Sequence, residues 1–123
     1  MKRIYILILV LLATGFVRSD ASVLNEQDPA KVNAKYITVK LDNPRVRVFE
    51  ALLKPGDKEN VHSHPTTVIY VIEGGKFRNY AANGTTTDVE LKTGDVLYRD
   101  PLTHSAENIG NTTIRLAVVE LKN

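Results

Sequence analysis

From residue 36 onward the chain alternates between short apolar or β-branched runs, four to nine residues long, and clusters of turn-forming residues. Tyr36 to Leu41 and Arg45 to Leu53 are two such runs, bounded by Asp42-Asn43-Pro44 and Pro55-Gly56-Asp57. Runs of this length between such breakers predict strands. Thr67 to Ile72 is an almost unbroken apolar stretch that stops at Glu73-Gly74-Gly75, the pattern of a strand buried on both faces. Lys76 to Ala82 and Thr85 to Leu91 flank Asn83-Gly84, a hairpin signal because both turn positions take positive φ. After a further turn at Thr93-Gly94-Asp95 come Val96 to Arg99, His104 to Ile109 and Ile114 to Leu121. The pattern predicts about eight to ten short strands, no helix and no internal repeat, hence one small β-barrel over residues 36–123.

Ahead of the barrel the pattern changes twice. Met1-Lys2-Arg3 precedes the apolar run Ile4 to Val17, and Ser19-Asp20-Ala21 follows with small residues at the exit. This predicts a secretory signal peptide over residues 1–21 and a mature chain starting near Ser22. The run falls short of the roughly 20 residues a spanning helix needs, and no cysteine is present to take a lipid. The expectation is an exported protein, periplasmic or secreted, with no stable membrane span after cleavage. Residues 22–35 are polar and aperiodic, and read as a linker or an N-terminal arm extending from the barrel.

Charge and composition then exclude several classes. The whole chain has 16 basic and 14 acidic residues, but Lys2, Arg3, Arg18 and Asp20 leave with the leader, so the mature chain carries 13 of each. With no net charge and no basic run, nucleic acid is not an expected partner. The absence of cysteine excludes disulfides, thiolate nucleophiles and zinc-thiolate sites. About 100 residues suffice for one core. Asn83-Gly84-Thr85 and Asn111-Thr112-Thr113 match the glycosylation sequon, and both read as turns.

The candidate chemistry rests on the three histidines, His62, His64 and His104. Two residues apart on a strand, His62 and His64 point the same way and can share one ion. His104, just ahead of a later strand, is the remaining candidate for a third ligand. Three neutral imidazoles suit a divalent transition metal rather than magnesium or calcium, and leave coordination positions open. Such a site binds metal only when its imidazoles are deprotonated, so acid below about pH 6.5 should strip the ion.

The segments Gly56-x5-His62-x-His64 and Gly94-Asp95-x5-Pro101-x2-His104-x3-Asn108 closely resemble the two motifs of the cupin superfamily, G-x5-H-x-H-x3,4-E-x6-G and G-x5-P-x-G-x2-H-x3-N. The resemblance covers most of residues 45–121. Two departures stand out: no acid occupies Thr67, Val68 or Ile69, where the family's glutamate ligand would fall, and the proline-to-histidine step is one residue shorter, without its glycine. The stretch also looks like small single-domain bacterial cupins of undefined activity. What the resemblance implies is an all-β, single-domain double-stranded β-helix, a jelly-roll-like barrel, holding zinc, iron, nickel, copper or manganese through His62, His64 and His104. It further implies a homodimer and a small-molecule substrate or ligand.

Dioxygenases, isomerases and lyases all occur on this fold, so a metal-dependent enzyme acting on a small oxygen-rich or anionic molecule is one expectation. A non-catalytic binding or sensor module is the alternative, and a purely structural barrel is a third. Among the remaining candidates, Glu59 and Glu107 read as solvated loop acids and Thr67 as strand packing. Asn108 reads as a turn cap, and Tyr70 and Tyr98 as core or interface aromatics. Any of Arg47, Arg99 and Arg115 that points inward would be an anion clamp.

Overall fold

Side chains alternate across a strand, so apolar residues at every second position build one buried face. On β2 (Val46–Leu53) these are Phe49, Ala51 and Leu53, and on β9 (Ile114–Leu121) they include Ile114 and Val118. The computed structural model describes residues 27–123; the expected leader at 1–21, and residues 22–26 of the arm, lie outside the described residues. The other strands are β1 (Ile37–Asp42), β3 (His62–His64), β4 (Thr67–Glu73), β5 (Gly75–Ala81), β6 (Thr86–Leu91), β7 (Val96–Arg99) and β8 (Leu102–Asn108).

They form two antiparallel sheets, one in the order β1-β2-β9-β4-β7 and the other β3-β8-β5-β6. The buried apolar residues, among them Phe49, Leu53, Val71, Phe77, Leu91, Ile114 and Val118, come from both sheets and form the core. Strand boundaries agree with the sequence pattern to within two residues, except that β3 is too short to show an alternation of its own. The chain does reverse at Asn83-Gly84, but not as a two-residue turn with positive φ at both positions: only Gly84 has positive φ, at +88°. The loop closes through Gly84 N to the Ala81 carbonyl at 3.0 Å and Ala81 N to the Thr85 carbonyl at 2.9 Å, with Asn83 Oδ1 accepting from Thr85 N at 2.9 Å.

Two further expectations are corrected. Strand β4 is not buried on both faces: Thr67 and Val71 face inward, while Tyr70 is 49% exposed beside its neighbour Val96 at 66%. Its apolar run is continuous because the outward residues are apolar too. The second correction concerns the arm, whose described part, residues 27–35, is folded onto the barrel. Asp28 caps a single helical turn, α1 (Pro29–Val32), by accepting from Ala30 N at 2.9 Å, and Pro29 sits where no N–H is needed. Ser63 on β3 donates its N–H to the Gln27 carbonyl at 2.9 Å and its hydroxyl to Gln27 Oε1 at 2.8 Å. Polar residues hold this segment by hydrogen bonds, so hydropathy carried no sign of it.

Candidate metal centre

The register of β3 against β8 pairs His62 directly with His104. Paired residues share a sheet face, and His64, two residues on, joins them. The ring centroids of His62 lie 4.7 Å from those of both His64 and His104, and the last two are 5.4 Å apart. One nitrogen from each ring lies within 4.8 Å of the others. The spacing predicted this convergence.

Each ring is held from outside through Nδ1. His62 Nδ1 lies 2.7 Å from the Asn60 carbonyl oxygen, which only accepts, so this nitrogen carries the proton. Asn33 Nδ2 also approaches it, at 3.0 Å, but the shorter carbonyl contact decides the tautomer. His64 Nδ1 donates to Glu120 Oε2 at 3.1 Å and His104 Nδ1 to Asn79 Oδ1 at 2.6 Å. All three Nε2 lone pairs are therefore left for a common ligand. Outer partners of this kind fix the tautomer of metal-binding histidines and raise their basicity.

Protons compete weakly for the nitrogens of His62 and His104. Burial lowers the His62 pKa to about 4, with His64 adding to the effect and the Asn60 carbonyl opposing it. Burial lowers His104 further, to about 3, helped by the charges of His62, His64 and Arg99. At neutral pH both are uncharged, the state a metal requires.

Glu59 is not the solvated acid its loop position implied. Its side chain is 10% exposed, with Oε2 3.4 Å from His62 Nε2, and burial pushes its pKa up to about 8. At pH 7 this is a contact between a carboxylic acid and a neutral imidazole, not an ion pair. The loop turns inward because its backbone is tied to β8: Glu59 N donates to the Ala106 carbonyl at 2.8 Å, and Ser105 Oγ donates to the Glu59 carbonyl at 3.0 Å. Glu107, by contrast, accepts from Tyr80 Oη at 2.8 Å and is absent from the cavity wall.

A second carboxylate reaches the site by a route not anticipated from the motifs. Glu120 is 3% exposed and stands opposite Thr67 in the β4–β9 register, on the strand beside the motif position that lacks an acid. It serves His64 Nδ1 through one oxygen and accepts from Arg47 Nε at 2.6 Å through the other. Arg47 in turn makes a two-pronged contact with Asp28, both bonds at 2.9 Å. Burial raises the Asp28 pKa, but its bonds to Arg47 and Ala30 outweigh that and leave it lowered. The available signal was parity: Arg47 and Glu120, opposite charges at inward positions of adjacent strands, are paired in register.

The imidazoles form one end of a cavity of about 70 Å³ with Glu59, Thr67 and Arg99 in its wall, continuing between Phe49, Phe77, Leu97 and Leu116. Of the three candidate clamp arginines, Arg47 is paired with Asp28 and Glu120 and Arg115 with Glu50, while Arg99 lines the cavity. No carboxylate among the described residues forms an ion pair with Arg99. Tyr70 and Tyr98 lie on the outer face, the latter 67% exposed. Asn108 organises a turn, donating to the Leu53 and Thr112 carbonyls at 2.9 and 2.8 Å and accepting from Gly110 N at 3.0 Å.

Comparison with known proteins supports the fold. No protein-family model matches the chain, and no curated protein matches its sequence. Among solved structures, a cupin domain from Bordetella pertussis is 26% identical, with a TM-score of 0.66 over 71% of this chain and 92% of its own. An uncharacterised conserved protein with a double-stranded β-helix domain from Klebsiella pneumoniae is 29% identical, with a TM-score of 0.56 over 70% of this chain and 76% of its own. A predicted oxalate decarboxylase from Thermotoga maritima is 27% identical, with a TM-score of 0.52 over 71% and 79% of the two chains. The fold shared with these structures is the cupin double-stranded β-helix.

Proposed function

We propose that this cupin-fold chain is an exported protein that holds one divalent transition metal on Nε2 of His62, His64 and His104 and takes a small oxygen-rich or anionic molecule into the adjoining cavity. The observation that carries the reading is that all three Nδ1 atoms are tied outward, to Asn60, Glu120 and Asn79, while one nitrogen of each ring converges within 4.8 Å of the others. That donor set fits zinc, iron, nickel, copper or manganese. A metal with open coordination positions supplies Lewis acidity toward a bound oxygen.

The chain's own residues would select the ligand. Arg99, which forms no ion pair with a carboxylate among the described residues, offers its guanidinium to a bound carboxylate, and the apolar wall beyond it excludes water from an organic tail. The oxalate named for the Thermotoga neighbour is a small dicarboxylate of this kind. A binding or sensor role through the same cavity is the second reading, favoured by the buried Thr67 in place of an acid in the first motif. Export and homodimerisation belong to the same proposal.

Metal analysis of the purified protein tests the core of it, with about one ion per chain expected and His104→Ala free of metal; equal content in both would reject the reading. Titration with small carboxylates should show affinity that falls at least tenfold in Arg99→Ala, since a charged hydrogen bond is worth about 1.5–3 kcal/mol. Turnover of any bound carboxylate separates enzyme from sensor. Export predicts a mature N-terminus near Ser22 by mass spectrometry, and a retained Met1 contradicts it. Sedimentation gives the oligomeric state, and a monomer at micromolar concentration removes the dimer.

A further inference from the structure

We propose that Glu59 supplies the carboxylate ligand that the histidine motif lacks, so that its Oε2 and three imidazole Nε2 atoms make a set of three nitrogens and one oxygen. The inference rests on the proposed metal site and goes one residue beyond it. Glu59 comes from the loop before β3, not from β4, where the motif would place an acid.

Three observations carry it. The position is built: the backbone of Glu59 is bonded on both sides to β8, the strand that bears His104, and the neighbouring Lys58 bridges to Glu107 on the same strand. The side chain turns into the cavity rather than to solvent. Its Oε2 lies 3.4 Å from His62 Nε2, the nitrogen left for metal. That separation is long for a hydrogen bond. Two donors on one tetrahedral ion at bond lengths of about 2.0–2.1 Å stand about 3.3 Å apart, so the carboxylate is already close enough to His62 Nε2 for a side-chain rotation to bring both onto one ion.

The other acids near the site are engaged elsewhere. Glu120 is committed to Arg47 and His64 Nδ1, and Glu107 to Tyr80. Glu59 stands on the His62 side of the cluster rather than at its centre, so ligation needs a rotation of its side chain into the cavity it already faces. A carboxylate there would cut the charge of a divalent ion by one, as in the three-histidine, one-glutamate arrangement that the motif describes.

Cobalt(II) titration of the metal-free full chain, followed by calorimetry and by visible absorption, tests this. Wild type should bind one ion, and Glu59→Gln should bind about 10- to 100-fold more weakly with shifted d–d bands. Glu59→Asp, which keeps the charge one methylene back, should fall between them; it also stands in as the test variant if the glutamine form does not fold. Wild-type affinity and spectrum in both variants, with His104→Ala unable to bind, would overturn the role of Glu59 and leave the three-histidine site standing. Failure of the wild type to bind would overturn both.

Discussion

An imidazole that presents Nε2 to a metal carries its proton on Nδ1, and an outer hydrogen-bond partner fixes that tautomer. Here a backbone carbonyl, a carboxylate and an amide oxygen each do so for one ring. Asn79→Ala removes the partner of His104 without touching the cluster, and should weaken metal binding about 10- to 100-fold by calorimetry; an unchanged affinity would show that the tautomer is not set this way. Burial of the rings also gives metal-free protein a defined pH profile. With folded pKa values of about 4 and 3 against about 6.5 unfolded, His62 and His104 contribute stability that is present above pH 6.5 and lost as pH falls below it. Glu59 acts oppositely: its raised value of about 8 gives stability that is present below about pH 4.5 and lost as pH rises toward 8. Each group changes stability by about 1.4 kcal/mol per pH unit within its window. The metal-free melting temperature should therefore peak near pH 6.5 and fall on both sides, and a flat profile from pH 5 to 8 would contradict these assignments. The same values move proton competition at His62 and His104 below the pH 6.5 expected from free histidine.

Strand elements were legible where an alternation ran long enough. Strands β2, β7 and β9 fall within one residue of the pattern, because six to nine alternating positions, or sharp flanking turns, fix both ends. The histidine trio was legible on other grounds: residues two apart on a strand share a face, which joins His62 to His64, while His104 was added as the remaining histidine and by the resemblance of its motif. Residues 27–35 were not, since they are bound by polar contacts such as Asn33 Oδ1 to Asn60 N at 2.7 Å, which leave no hydrophobic period. Glu59 was misread because loop acids are usually solvated, and its burial depends on hydrogen bonds to β8 that no local pattern encodes. Between α1 and the barrel the structure depends on Arg47, whose side chain is 15% exposed and which joins Asp28 to Glu120. Arg47→Met should cost about 3–5 kcal/mol in urea unfolding, because it strands buried carboxylates. A loss below about 1 kcal/mol would mean that solvent or rearrangement replaces the arginine.

At the scale of the molecule, the site lies where the two sheets face each other. The four-stranded sheet carries the histidines on β3 and β8, and the five-stranded sheet faces them with Thr67, Arg99 and Glu120 from β4, β7 and β9. Phe49 carries the hydrophobic core up to the metal end, its ring 6.1 Å from that of His64 and stacked at 17°. Among the described residues no helix is long and apolar enough to cross a membrane. The central claim is that this packing holds three imidazoles in the Nδ1–H form with Nε2 lone pairs converging. Nitrogen-15 NMR of the imidazole rings tests it most directly, recorded on metal-free protein at pH 7 and again with one equivalent of zinc. The account predicts three Nδ1–H tautomers before zinc, and after it a shift of all three Nε2 resonances with every Nδ1–H retained. A ring protonated on Nε2, or three spectra that zinc leaves unmoved, would contradict it.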